Sequence, residues 1–254
     1  MPISPDEALA RLKEERQRRQ SGGGGTPRVA VVTPMSWSHT PKVTHMALET
    51  LRMKHPTIAT FYPESDTIGA MRNLGVRKVR KVGGFTHILF CDADMTWGHA
   101  GNTMAEDPLG QLLAHKVDVV GGLCRSRHSP FACTLWEHRD DHYERVPPVG
   151  FGLVRYAATG GAFLLVRMEV FDELDKEFIG WPYFINRQEL IVNGEPPPEL
   201  RRQLSEDLYF CEQVGKLGIP IYVDLDCRIG HVVTAIVSDD AKHNVAISFP
   251  KGED

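Results

Sequence analysis

The chain has 254 residues, 42% of them apolar and 24% charged, which is enough for one large α/β domain around a real core. Its 23 glycines and 17 prolines stay well below the composition of low-complexity disorder. A formal net charge of −4 gives no whole-molecule attraction to nucleic acid or anionic membranes, and runs as short as Val29–Val32 or Ala162–Val166 cannot span a bilayer.

In chain order, Ser4-Pro5-Asp6-Glu7 has the form of a capping box and predicts a helix of about four turns. Ser21 to Gly25 is a flexible tether, so residues 1–27 read as helix and linker and residues 28–254 as the folded domain. Val29–Val32 suits a parallel strand covered on both faces and ends at Thr33-Pro34. A helix over about Lys42–Lys54, a strand near Ile58–Tyr62 and a helix over about Thr67–Val82 follow, the last one weakened by Gly69 and Gly75. His87–Cys91 reads as a strand, Gln111–His115 as the end of a helix and Val117–Val120 as a strand. This alternation argues for a parallel sheet with right-handed crossovers. Further on, Gly161–Val166 is a buried strand, Met168–Leu174 a short helix and Gly180–Pro198 a surface loop. Leu208, Cys211, Val214 and Leu217 form one apolar stripe over Glu206–Leu217, Gly218 stops that helix, and Ile219–Val223 is another strand.

Ligands of such sheets bind at the carboxyl ends of the strands. Two D-x-D triplets sit there: Asp92-Ala93-Asp94 after His87–Cys91 and Asp224-Leu225-Asp226 after Ile219–Val223. Two carboxylates leaving one strand end can hold a divalent cation that also grips a diphosphate, although a polar loop start would look the same. The first triplet is preceded by a basic segment, with Arg72, Arg77, Lys78, Arg80 and Lys81 unbroken by any acid. The planar fork of Arg72 suits a phosphate, while a solvated helix face accounts for most of the others. Ser205-Glu206-Asp207 is equally an N-cap with first-turn acids and a source of a general base. His231 would matter as a nitrogen ligand to a metal held by the D-x-D. Five scattered cysteines without a C-x-x-C pair read as reduced, buried thiols of a cytosolic protein, with no secretory leader expected.

The order of these parts resembles metal-dependent glycosyltransferases of the GT-A fold, in particular the family 2-like group. The strand ending in Thr-Pro, the Arg-Asn pair, THILFCDADM, ATGGAFLLVRMEVF and SEDLYFCEQVGKLGIPIYVDLDCRIGH carry the resemblance, which covers residues 28 to about 232. It implies a Rossmann-like, mostly parallel sheet flanked by helices in a single catalytic domain, with the last twenty or so residues as a flexible lid over the site. On the donor side it places Thr33 and Pro34 beside the nucleotide base and Glu64 or Asp66 at base or ribose. Arg72 and Asn73 lie near the diphosphate, Asp92 and Ala93 belong to the D-x-D, and Arg125, Gly160 and Gly161 also line the donor. Asp94, Asp92 and His231 are the implied metal contacts, with Asp94 the direct ligand. The metal is Mn²⁺ or Mg²⁺, and the nitrogen donor tilts it to Mn²⁺. Asp207 of the Glu206-Asp207 pair matches the catalytic base of an inverting transfer, and Trp181 and Tyr183 fall on the acceptor side.

The implied partner is a nucleoside-diphosphate sugar, with UDP-sugars favoured, and the acceptor is a hydroxyl. Compact members act on small or lipid-linked acceptors, and virus-encoded ones act on hydroxymethylated pyrimidines in DNA. For DNA the physical support is the Arg72–Lys81 cluster together with Arg125, Arg127 and His128. A non-catalytic nucleotide-sugar-binding protein and a metal-dependent phosphohydrolase are the alternative classes. Asp224 and Asp226 stay open as a rival metal site.

Overall fold

A computed structural model describes residues 26–35, 41–98, 104–127, 131–140, 142–177, 182–186, 205–233, 236–239 and 245–248. The expected N-terminal helix and tether, Trp181, His128 and most of the 180–198 loop lie outside them. The chain lays down β1 (Val29–Val32), α1 (Lys42–Lys54), β2 (Ala59–Phe61), α2 (Ile68–Val82), β3 (His87–Cys91) and β4 (Met95–Thr96). Then come α3 (Pro108–Ala114), β5 (Val119–Leu123), β6 (Leu135–Arg139), β7 (His142–Arg145), β8 (Leu153–Tyr156), β9 (Ala158–Thr159) and β10 (Phe163–Arg167). The remaining elements are α4 (Met168–Glu177), α5 (Glu206–Lys216), β11 (Ile221–Arg228), β12 (Gly230–His231), β13 (Ile236–Asp239) and β14 (Val245–Ser248). Of the expected lid, the described part is β13 paired antiparallel with β14. No helix among the described residues is long and apolar enough to cross a membrane.

The central sheet runs β2-β1-β3-β10-β5-β11-β8. Five of its strands point one way, while β10 and β8 run against their neighbours. The sheet is therefore mostly parallel, as expected, with one correction: the buried strand after Gly160-Gly161 is inserted antiparallel between β3 and β5. The reason lies in the connection. After β5 the chain makes an excursion through β6 to β9, re-enters at the carboxyl end of the sheet through Gly160-Gly161 and can only descend. That descent puts the glycine turn beside the D-x-D, where the Asp92 amide donates to the Ala162 carbonyl at 2.9 Å.

Alternating strand residues feed two cores. On one face Ala30, Val32, Ile88, Phe90, Leu164 and Val166 pack against α2, α4 and α5. On the other, Val29, Val31, Leu89, Cys91 and Leu165 pack against α1 and α3. All five cysteines are buried and free. The helices start where the sequence signals them: Thr67 Oγ1 accepts from the Ala70 amide, Asp107 Oδ1 from Gly110 with Pro108 at the first turn, and Ser205 Oγ from Leu208. Gly75, a weak point by propensity, is required by packing, because a Cβ there would sit 2.4 Å from Val32 Cγ1. The helix is held that close to β1.

Candidate active site

At the carboxyl end of the sheet, Arg72 of α2 is 1% exposed and meets three carboxylates. Its Nη1 donates to Glu206 Oε1 at 2.9 Å and Asp207 Oδ1 at 2.6 Å, and its Nη2 to Asp92 Oδ1 and Oδ2 at 3.0 and 3.2 Å. The cluster joins the end of β3, the middle of α2 and the first turn of α5, residues as far as 135 positions apart. Burial alone would lower the pKa of Arg72, but Asp207, Asp92 and Glu206 outweigh it and keep the guanidinium charged. Burial pushes the Asp92 carboxyl up against the pull of Arg72. Glu206 is raised by burial and then by the Asp207 charge. Asp207 stands in the amino-terminal turn of α5, where backbone N–H groups favour negative charge.

The glycine turn closes over this cluster. A Cβ on Gly161 would lie 2.6 Å from Asp207 Oδ1 and 2.9 Å from Arg72 Cζ, so only glycine lets the backbone pass. Gly160 faces Thr134 instead, whose Cβ would be 3.1 Å from an added Cβ. Phe184 places its ring 5.8 Å from Arg72 Cζ.

The other half of the site comes from a two-residue ladder. β12 pairs with β4, setting His231 opposite Met95, and His231 Nε2 then lies 2.9 Å from Asp94 Oδ2. His231 Nδ1 is 3.0 Å from the Arg125 carbonyl, a partner that can only accept, so Nδ1 carries a proton. Burial pulls the His231 pKa down, yet the bond and charge of Asp94 raise it overall. For Asp94 burial acts upward, and His231 and Arg127 more than offset it, so its pKa is lowered. Arg127 Nη1 approaches Asp94 Oδ2 at 3.4 Å from an exposed position.

A carboxylate oxygen and an imidazole nitrogen converge, and the Arg125 carbonyl holds His231 in the orientation that points Nε2 inward. That fits a cation completed by ligand oxygens. Asp92 does not join them, because both its oxygens face Arg72. Among the described residues no group of three His, Cys, Asp or Glu side chains could hold a metal. Of the three expected metal contacts the structure brings Asp94 and His231 together and turns Asp92 to Arg72.

Other expected residues are placed differently. Asn73 is buried, with Nδ2 donating to the Phe184 carbonyl and Oδ1 accepting from the Tyr183 and Phe184 amides, so it pins that loop. Tyr183 is 6% exposed, packs on Phe171 and bonds Asp175 and Arg80, so it is a core residue and no acceptor platform. Asp224 is buried, with Oδ2 taken by Gln111 and His115 and Oδ1 by the amides of Asp226 and Cys227. Asp226 Oδ2 accepts from the Gly152 amide. The rival metal site is therefore a structural knot. Thr33 and Pro34 are covered, with Thr33 Oγ1 lacking a partner among the described residues. Glu64 and Asp66 are exposed after β2, and Ala93 forms the turn between Asp92 and Asp94. Arg125 contributes its carbonyl to His231, and its guanidinium bonds the Phe131 carbonyl. The basic segment loses Arg72 to the cluster and Arg80 to Asp172 and Asp175.

A mostly parallel sheet carrying this arrangement at its carboxyl end has the GT-A-type fold. Among solved structures the chain is similar to A197 from STIV, with a TM-score of 0.53 at 13% identity, over 88% of this chain and 95% of that one. It is more distantly similar in shape to GalNAc-T7, crystallised with UDP, GalNAc and Mn²⁺, with a TM-score of 0.47 at 11% identity over 91% of this chain and 53% of that one. S. aureus TarS residues 1–349 match with a TM-score of 0.43 at 14% identity, over 81% and 60%. No protein-family model and no curated protein sequence matches the chain.

Proposed function

We propose that the chain is a metal-dependent glycosyltransferase that moves a sugar from a nucleoside-diphosphate donor, a UDP-sugar in the first instance, to an acceptor hydroxyl with inversion. The observation that carries this reading is one cluster. It joins a cation-binding pair, Asp94 and His231, through Asp92 and Arg72 to two carboxylates at a helix start, Glu206 and Asp207. When bound, Mn²⁺ or Mg²⁺ supplies positive charge at the leaving diphosphate. Asp94 and His231 are the residues that would hold it. Arg72 orients Asp207 by taking Oδ1 and leaves Oδ2 for the proton of the acceptor hydroxyl. The acceptor oxygen then bonds to the anomeric carbon, and the bond from that carbon to the diphosphate oxygen breaks with its electron pair on the nucleotide. Gly161 gives the donor sugar a backbone wall. For a DNA acceptor the Arg72–Lys81 segment offers less than its full basic charge, since Arg72 and Arg80 are held in ion pairs within the chain.

The test is thermal unfolding with Mn²⁺ and UDP, GDP, CDP or dTDP, on wild type and Asp94→Ala. A ligand at about 100 times its Kd stabilises by roughly 2.7 kcal/mol. A shift with one nucleotide that needs both metal and Asp94 is the expected result, and no shift with any nucleotide would sink the donor reading. Release of nucleoside monophosphate in place of diphosphate would make the protein a phosphohydrolase. Asp207→Asn keeping turnover while Glu206→Gln loses it would move the base to Glu206.

A further inference from the structure

A cavity of about 620 Å³ lies between the last turns of α5 and the β6–β7 hairpin, a size typical of small-ligand sites. Gly215, on its helix wall, is nine residues past Glu206, or about 13 Å along the helix, so an occupant is not the sugar being transferred. On the hairpin side, His138 and Tyr143 pair across the ladder with ring centroids 4.6 Å apart and offer an apolar platform. On the helix side Gly215 leaves the wall without a side chain. Its backbone is not left-handed, and a Cβ built there meets no atom within 4 Å. Glycine is the least favourable helix residue after proline. Gly75 and Gly161 are explained by atoms that press on them, whereas exposed Gly215 has neither a left-handed backbone nor a neighbour pressing on it among the described residues, and the open space beside it is accessible to a ligand.

The lining selects the chemistry. Glu137 and Glu212 balance Arg155 and Lys216, and Lys216 is already paired with Glu212 at 2.9 Å, so an anion gains nothing. The side chains of Glu137 and Arg155 make no hydrogen bond among the described residues, and a purely apolar ligand would desolvate them without return. A sugar ring satisfies both demands, with an apolar C–H face for the aromatic pair and hydroxyls that donate to Glu137 and accept from Arg155. We propose that this cavity binds an uncharged sugar residue of a glycan, at a site separate from the carboxylate cluster. The proposal goes beyond the transfer reaction, and its trisaccharide titration needs neither metal nor turnover, so either reading can fail alone.

The experiment titrates the full chain with maltotriose, cellotriose, chitotriose and mannotriose at up to about 50 mM, enough to see a millimolar Kd, and follows backbone amides by NMR. At least one trisaccharide is expected to shift residues 137–143, 155–157 and 212–218. Gly215→Leu should weaken that binding more than tenfold while melting no lower than wild type, since leucine favours the helix. Tyr143→Ala should weaken it as well. The proposal is overturned if no trisaccharide shifts these amides, if inorganic phosphate shifts them instead, or if Gly215→Leu binds undiminished. UDP-glucose binding there more tightly than any trisaccharide would assign the cavity to the donor's sugar and likewise overturn a glycan site.

Discussion

Asp92-Ala93-Asp94 and Asp224-Leu225-Asp226 share a pattern, follow strands of one sheet and each meet a histidine Nε2, at 2.9 Å for Asp94 with His231 and 2.7 Å for Asp224 with His115. They differ in what else reaches the carboxylates. Asp224 is closed by a glutamine and two backbone amides as well as the histidine, so each oxygen has two bonds and the group serves the fold. Asp92 and Asp94 sit on a turn whose neighbours are Arg72, His231 and the rim arginine Arg127, and the side chain of Asp94 is 25% exposed. On the proposed function the first triplet is the ligand site because Asp94 keeps a partly exposed carboxylate beside a histidine, while Asp92 is engaged by Arg72. Sequence proximity to a strand end is shared by both and decides nothing.

The largest effect should come from Asp94→Ala, which removes one of the two proposed cation donors. Transfer is expected to fall by about 10³-fold or more, with the melting temperature of the ligand-free protein nearly unchanged. Radiolabelled sugar transfer and a melting curve on the same sample check both halves. The mirror substitution, Asp224→Ala, should do the reverse. It strands Gln111, His115 and two amides around a buried position, a loss of about 3 kcal/mol or roughly 6–12 °C for a chain of this size. Metal-dependent stabilisation by nucleotide should survive in the folded fraction. If Asp224→Ala instead folds normally and loses metal-dependent binding, the contrast between the triplets is inverted.

Locally encoded features were legible. Lys42–Lys54 and His87–Cys91 are an apolar stripe and an apolar run, and both elements fall on those residues. The β6 to β9 excursion was not legible, because its strands are short and β7 is mostly exposed, so hydrophobic period gives no signal. That omission also hid the antiparallel entry of β10. At the site, the sequence pointed to Asp94, His231, Arg72 and Glu206-Asp207, which the structure gathers, whereas their partners were out of reach. Asn73 and Tyr183 have the chemistry of ligand-binding residues, and only contacts some 110 positions away show that they bond each other's segments. Arg127 looked like part of a nucleic-acid surface until β5 and β12 were placed together. No local pattern encodes which carboxylates an arginine will meet.

The two histidine pairs sharpen the comparison through pH. The folded pKa of His231 is raised, so its ion pair with Asp94 contributes fully below the unfolded value near 6.5 and is lost as pH rises through the folded value. The same deprotonation bares Nε2 for a cation. Mn²⁺ affinity, read by calorimetry, should therefore climb by up to about tenfold per pH unit until His231 has titrated, with one proton released on binding in that range. His231→Ala should bind more weakly and flatten this slope. A slope that persists in His231→Ala would place the titrating ligand elsewhere.

The smallest effect is expected from Asp226→Ala, and it is the cleanest check on the second triplet. Asp226 is exposed, and its side chain accepts from the Gly152 amide at 2.9 Å, anchoring a turn where Gly152 has φ of 66°. Losing one solvent-accessible bond to a charged acceptor should cost about 1 kcal/mol or less, because water replaces the partner. Hydrogen exchange at the Gly152 amide should accelerate while the global melting temperature and transfer rate hold. Faster exchange confined to that turn would mean that Asp226 ties a loop, as Asp224 ties a helix to a strand. A lost transfer rate with unchanged exchange would mean that the second triplet contributes to the chemistry, and the division drawn between the two would fail at its weakest point.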